Sequence, residues 1–241
     1  MAIILLNVMS WTLVQGLGME PWLSSSVCRF GLIPGDILRT LPAGAYLPVA
    51  PGLACQIGSQ PAWYTLVTAK FMHGGWLHII GNMWFLWVFG NSVEDAMGHV
   101  RFAVFYLICG LAAGGLQLIM PGNPAVPMIG ASGAIGGVMG AYILLYPRVK
   151  VHLLLILGFF ITTITVPAVF MLAYWFLLQL VGGLTSIENR GGGVAFWAHV
   201  GGFATGAALA YVFASPELLK RHPFYGWYSG VPGDKWQQDD M

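Results

Sequence analysis

From Phe102 to Pro147 the chain carries no Asp, Glu, Lys or Arg. That stretch decides the class of fold. At ~1.5 Å per helical residue it is long enough to cross a ~30 Å hydrocarbon core more than once. Backbone polar groups in hydrocarbon must be paired within the protein, which favours helices. The rest of the chain agrees. It is 57% hydrophobic and 8% charged, against about 25% charge in a soluble domain. The expected fold is therefore all-α and polytopic in a membrane. The net charge is +1, with no basic or acidic block, so nothing points to nucleic acid. There is no Cys-x-x-Cys and no His/Cys cluster, so no metal or other cofactor is expected.

Hydropathy and breakers predict six spans, at about 2–18, 74–90, 102–120, 131–146, 166–183 and 195–213. Together they make one membrane domain, 1–214, followed by a polar tail, 215–241. The first apolar run has no basic n-region and no clear small-x-small cleavage site, so it is expected to stay as a span. A long Pro- and Gly-rich loop, 19–72, follows it. Pro121, Pro124 and Pro127 keep the segment before the fourth span non-helical. The run 151–183 is too long for one span and is broken by Thr162, Thr163, Thr165 and Pro167. Residues 151–165 are read as an interfacial or loop segment. Glycines 191–193 are expected to form a flexible turn.

Arginine and lysine in the short loops set the orientation. Arg101, Arg148, Lys150, Lys220 and Arg221 fall on one side, against Arg190 alone in the short loops of the other and Arg29, Arg39 and Lys70 in the long first loop, which weighs little; the positive-inside rule assigns the richer side to the cytoplasm together with both termini. Spans two, four and six then run from outside to inside. His78 and Asn82, Ser132, and His199 fall within roughly 2–13 Å of the outer ends of those helices. His78 and Asn82, four residues apart, share a helix face. Polar groups at that depth are costly and tend to face the protein interior or a wet cavity. Serine and histidine together suit nucleophilic catalysis, with the histidine as general base. A second imidazole and an amide suit an oxyanion hole. No carboxylate lies in spans two, four, five or six to orient the base, so a dyad is expected. Gly130 beside Ser132, the face Gly133, Gly136, Gly137 and Gly140, and the stripe Gly202, Gly206 fit close packing of spans four and six.

Four motifs occur in order: His73-Gly-Gly-Trp-Leu-His78-Ile-Ile-Gly-Asn82, Gly90-x-x-x-Glu94-x-x-x-Gly98, Gly130-Ala-Ser132-Gly133 and Ala198-His199-x-x-Gly202-x-x-x-Gly206. With them the chain, from about residue 63 to 213, resembles the rhomboid family of intramembrane serine proteases in its bacterial-type six-helix core. The resemblance implies Ser132 as nucleophile and His199 as base. It implies an oxyanion hole of His78, Asn82 and the backbone N–H of Ser132. It also implies transmembrane protein substrates in a lipid bilayer, in a bacterial inner (plasma) membrane.

Two positions depart from the family pattern. Trp63-Tyr64 is followed by Thr65 without the arginine that some members carry nearby. Gly136 stands four residues after the serine, where some members place an aromatic that stacks on the base. The rival readings are an inactive rhomboid-like protein that escorts membrane clients and a small transporter. The first predicts loss of the serine or histidine, and the second predicts polar groups spread across the membrane depth. His73 is expected to make a structural hydrogen bond, and Glu94 to bond loop amides at the inner end of span two. Trp84, Phe85, Trp87, Trp175 and Phe176 are read as lipid-facing or packing aromatics, with a lateral gate as the functional alternative. Gln179 is read as bonding a neighbouring helix or facing the site. Cys28 and Cys55 share the long loop and are either disulfide-bonded or two free thiols.

Overall fold

The computed structural model describes residues 1–50, 53–157, 160–188 and 194–222. Arg190, the turn expected at glycines 191–193 and the tail beyond 222 lie outside the described residues.

The bundle is built around α7 (Ser132–Leu145), whose residues are almost all buried. At 14 residues it is ~21 Å long, shorter than a ~30 Å hydrocarbon core. A helix that short, enclosed by longer neighbours, ends inside the bundle. Its N-terminus, where Ser132 sits, is the floor of a recess. Around it stand α5 (Trp76–Met97), α6 (His99–Ile119), α8 (Ala168–Glu188) and α9 (Phe196–Phe213).

Glycine permits the closest of these contacts. An added methyl at Gly202 would land on the Gly133 carbonyl oxygen, and one at Gly206 on that of Gly137. One at Gly140 would land on the Phe203 carbonyl oxygen. Helices α7 and α9 therefore touch backbone to backbone, as small-residue stripes allow. The same core takes in Phe105, Tyr106 and Cys109 of α6, Val93 of α5 and Leu172 of α8. The outward faces are apolar too, with Trp84, Val104, Leu111, Phe170, Leu177 and Val212 exposed, as expected where lipid is the solvent.

By length and composition, the stretches His99–Ile119, Ala168–Ser186 and Phe196–Phe213 are long and apolar enough to cross a membrane. Helix α5 has the length, at 22 residues, but His78, Asn82 and Asn91 dilute its apolar character. Ala2–Val14 and α7 are shorter apolar helices.

Several boundaries differ from the sequence reading. The first helix, α1 (Ala2–Met9), continues as a π-helical turn to Val14. It stops short of residue 18 because Gly16, Leu17 and Gly18 take positive φ. Helix α5 runs on to Met97, beyond the expected end at 90, and α8 starts at Ala168, directly after Pro167. In the segment 151–165, read as an interfacial or loop segment, residues 151–157 and 160–165 fall in two antiparallel strands, β3 (Lys150–Leu157) and β4 (Phe160–Pro167). Alternating Thr and β-branched residues suit a strand. The threonines did break the helix, but into strands. The tail begins with a short helix, α10 (Pro216–Arg221), capped by Ser215. Ser215 N–H donates to the Ala96 carbonyl at 2.8 Å, docking the tail on the end of α5.

The long first loop is a folded platform, with α2 (Trp22–Phe30), α3 (Pro34–Ile37), a hairpin of β1 (Tyr46–Ala50) with β2 (Leu53–Gln56), and α4 (Thr65–Thr68). A disulfide joins Cys28 to Cys55. The platform grips the segment that leads into Ser132. Leu32 and Met128 exchange two backbone hydrogen bonds, Gly35 N–H donates to the Pro124 carbonyl, and Gly130 N–H donates to the Ala69 carbonyl.

Candidate active site

Ser132 and His199 come from the N-terminal ends of α7 and α9, which the glycine stripes hold in contact. Ser132 Oγ lies 2.7 Å from His199 Nε2. The turn carrying His199 is held from α6, where Gln117 Oε1 accepts from the Ala198 N–H at 3.1 Å. Both side chains open onto a cavity of about 800 Å³, walled by the Pro121–Ile129 segment, by Pro34 and Leu38 of the platform, and by His78.

His78 reaches the site from the first turn of α5. Its Nδ1 accepts from the Gly74 N–H at 3.2 Å, so the ring proton sits on Nε2. His78 lines the cavity, with its Nε2 close beside Gly130. A methyl built on Gly130 would lie 2.7 Å from His78 Nε2 and 3.6 Å from Ser132 Oγ. Gly130 has φ +119°, a conformation open to glycine and strained for other residues. The backbone N–H of Ser132, at the first position of α7, is one of the helix-end donors without an intrahelical partner. An imidazole N–H and a helix-end amide thus stand beside Gly130, next to a serine hydroxyl at the cavity.

Asn82 lies one turn deeper. It is buried, and its Nδ2 donates to the His78 carbonyl at 2.8 Å. It is not among the residues lining the cavity. The other sequence candidates are placed as follows. His73 is fully buried, and its backbone N–H and carbonyl bond the side-chain amide of Gln15 at 2.8 and 2.7 Å. The structural hydrogen bond expected of His73 is thus made by its backbone, while its ring packs edge-on against His78. Burial pushes the His73 imidazole down to about 3, so it stays neutral. Glu94 bonds the His99 ring at 2.7 Å. Trp84 and Trp87 face outward, and Phe176 stacks on Phe203 inside the bundle.

Lys70, near the end of the long first loop, is buried behind Ser132 and bonded to the Leu66 carbonyl. Desolvation lowers it to about 8. Gly110 on α6 leaves the room its stem fills.

Two groups on α8 also meet His199. Gln179 Oε1 lies 2.8 Å from His199 Nδ1, and the Trp175 ring lies 5.6 Å from the imidazole, centroid to centroid. Their spacing of four residues was the available signal, the same spacing that pairs His78 with Asn82. The aromatic missing at Gly136 is supplied by another helix.

Residues 60–216 match the family model described as the Rhomboid domain. The chain belongs to the rhomboid family. It is 31% identical over 153 residues to rhomboid protease GluP of Bacillus subtilis (strain 168), covering 63% of this chain and 27% of that protein. RHOMBOID-like protein 4 of Arabidopsis thaliana is 30% identical over 175 residues, covering 71% of this chain and 38% of the relative. Rhomboid-like protein 11, chloroplastic, of the same plant is 37% identical over 105 residues, covering 42% and 37%. The chain therefore spans well under half the length of these curated relatives. The matched region holds the site residues described above, and the apolar helices together with rhomboid membership make this an integral membrane protein.

Proposed function

We propose that this rhomboid is an intramembrane serine endopeptidase that cleaves membrane-anchored proteins near the outer membrane face. One observation carries the reading: Ser132 Oγ lies 2.7 Å from His199 Nε2 at the floor of an open cavity. Ser132 Oγ attacks the scissile carbonyl carbon, and its proton passes to His199 Nε2. The carbonyl oxygen becomes an oxyanion beside Gly130. The His78 Nε2–H and the Ser132 backbone N–H donate to it there. The family resemblance adds Asn82 to this set from one turn below the cavity, with the amide proton that the His78 carbonyl does not take. The C–N bond then breaks, and the leaving amine takes the proton from His199. Water entering through the cavity gives a proton to His199 as its oxygen adds to the acyl carbon; the bond to Ser132 Oγ then breaks, and Oγ takes that proton back from His199.

A helical substrate hides its carbonyls in its own hydrogen bonds, so the cleaved segment unwinds at the mouth of the cavity. The end of the bundle opposite the cavity carries Arg101, Lys150, Lys220 and Arg221. That asymmetry supports cytoplasmic termini, and the likeness to the Bacillus subtilis protease supports a bacterial inner membrane as the location. The test is a fluorophosphonate probe together with cleavage of a transmembrane test substrate in detergent. Wild type should label and cleave, and Ser132→Ala should do neither. Cleavage by Ser132→Ala at near the wild-type rate would remove the assignment.

A further inference from the structure

We propose that Gln179 is the positioning residue for His199, with Trp175 beside it fixing the plane of the ring. The proposal rests on the hydrolase reading of Ser132 and His199. A histidine base must present a bare nitrogen to the serine, and which nitrogen is bare is set by the bond the other one makes. Among the described residues, the imidazole's hydrogen-bond partners are Gln179 and Ser132, neither of them a carboxylate. Gln179 Oε1 lies 2.8 Å from His199 Nδ1.

The direction of that bond follows from the other end of the amide. Gln179 Nε2 donates to the Trp175 carbonyl at 3.2 Å. Flipping the amide would set Oε1 against that carbonyl, acceptor to acceptor, and would leave an N–H pointing at Nδ1. With Nε2 on the carbonyl, Oε1 is an acceptor and Nδ1 must carry the proton. Nε2 of His199 is then bare and faces the Ser132 hydroxyl at 2.7 Å. As the serine proton arrives, the ring becomes an imidazolium and its Nδ1–H bond to the amide oxygen becomes charge-assisted. A neutral amide does this without burying a carboxylate, which would be costly at this depth.

Gln179 is 8% exposed on an otherwise apolar stretch of α8. Burial of an amide there requires partners, and it has two, the Trp175 carbonyl and the catalytic ring. Trp175, one turn earlier on the same face, lies with its ring tilted 37° to the imidazole. A methyl at Gly136 would meet the Trp175 ring in ordinary contact at 3.7 Å and would crowd the His199 carbonyl oxygen at 3.1 Å, so the glycine there serves the close approach of α7 and α9. Two groups on one helix thus fix both the tautomer and the tilt of the base.

Leucine matches glutamine in size but cannot accept a hydrogen bond, while glutamate keeps an acceptor oxygen. In the full-length protein in detergent, Gln179→Leu should lower kcat roughly 10- to 100-fold with KM within about twofold. Gln179→Glu should recover most of that loss. Nitrogen-15 histidine spectra should show His199 protonated on Nδ1 in wild type and as a tautomer mixture in Gln179→Leu. Trp175→Leu should lower kcat by a smaller factor without mixing tautomers. A Gln179→Leu enzyme within about threefold of wild-type kcat overturns the proposal. So does a Gln179→Glu enzyme as slow as Gln179→Leu, which would assign the glutamine to packing. If Gln179→Leu does not fold, Gln179→Met carries the same comparison. If wild type labels at Ser132 and cleaves while these variants match it, only the positioning role fails. If wild type neither labels nor cleaves, the hydrolase reading fails and the positioning role fails with it.

Discussion

Gly130→Ala tests the proposed oxyanion site directly. The added methyl would sit 2.7 Å from His78 Nε2 and 3.6 Å from Ser132 Oγ, filling the space that the oxyanion would occupy. Two effects follow, and they separate. The first is on stability. An alanine held at φ +119° is strained by about 1–3 kcal/mol. The Gly130 N–H bond to the Ala69 carbonyl holds the backbone there. The second is on the reaction. Either His78 is pushed aside or the oxyanion is displaced from its donor, and loss of one such donor costs roughly 10²- to 10³-fold in kcat. KM should change little, since the oxyanion exists only beyond the ground state. The assay is kcat and KM on a transmembrane test substrate, with thermal unfolding of the same samples. Gly81→Ala is the control. It lies on α5 with nothing within 4 Å of an added methyl, so it should keep full activity and gain roughly 0.5–1 kcal/mol of stability. A folded Gly130→Ala enzyme with kcat within about threefold of wild type would refute the placement of the oxyanion beside Gly130.

Ser132→Ala, His199→Ala and the double variant should all lose nearly the same activity, because the pair acts as a unit; a double variant clearly worse than both singles would show that they act independently. In a cysteine-free background, single cysteines at Asn123 and Ser186 should react with a membrane-impermeant thiol reagent in intact cells and one at Lys150 should not; the reverse pattern would invert the proposed orientation. Alkylation before and after reduction should differ by two labels if Cys28 and Cys55 are bonded. Closing that 27-residue separation stabilises the platform by about 3.5 kcal/mol on a loop-entropy estimate, so Cys28→Ser should lower the melting temperature; an unchanged label count rejects the bond.

What could be read in the sequence was what periodicity and single-residue chemistry carry. The helices of the bundle core start within a few residues of their expected positions where Pro167, Gly98 and the proline segment punctuate them, while α5 runs to Met97, past its expected end at 90. The contact between Ser132 and His199 was legible because two glycine stripes implied one helix pair, and the close approach of Gly133 to Gly202 and of Gly137 to Gly206 is that pair. The strand pair β3 and β4 was not legible, since an apolar run rich in Leu, Ile and Thr suits an interfacial segment as well as a strand. The burial of Lys70 was hidden for a different reason. Its partner space is made by Gly110, distant in sequence, and a lysine next to a loop reads as a solvated cation. Gln179 was visible as a polar residue in an apolar helix, but its target depended on how α8 is rotated about its own axis. That rotation is set by contacts such as Gly182 on Phe196 and Gly183 on Trp197, which no periodicity encodes.

The length of α7 connects these details to chemistry in a membrane. A hydrolase in a bilayer needs water at the nucleophile while its helices face lipid. A full-length span would carry its first residue to the membrane surface, where a serine would be solvated but its partners could not enclose it. A span of 14 residues stops about 9 Å short of a ~30 Å core. That shortfall is room for a cavity, and the proline segment 121–127 and the platform wall it without filling it. The same shortness puts the unpaired N–H groups of the first turn of α7 at the cavity floor, where developing negative charge would meet them. Lengthening α7 at its N-terminus would pair those groups and close the room above them. The glycine-rich, proline-flanked sequence around Ser132 keeps the helix from starting earlier, which makes it a condition of the site as well as of the packing.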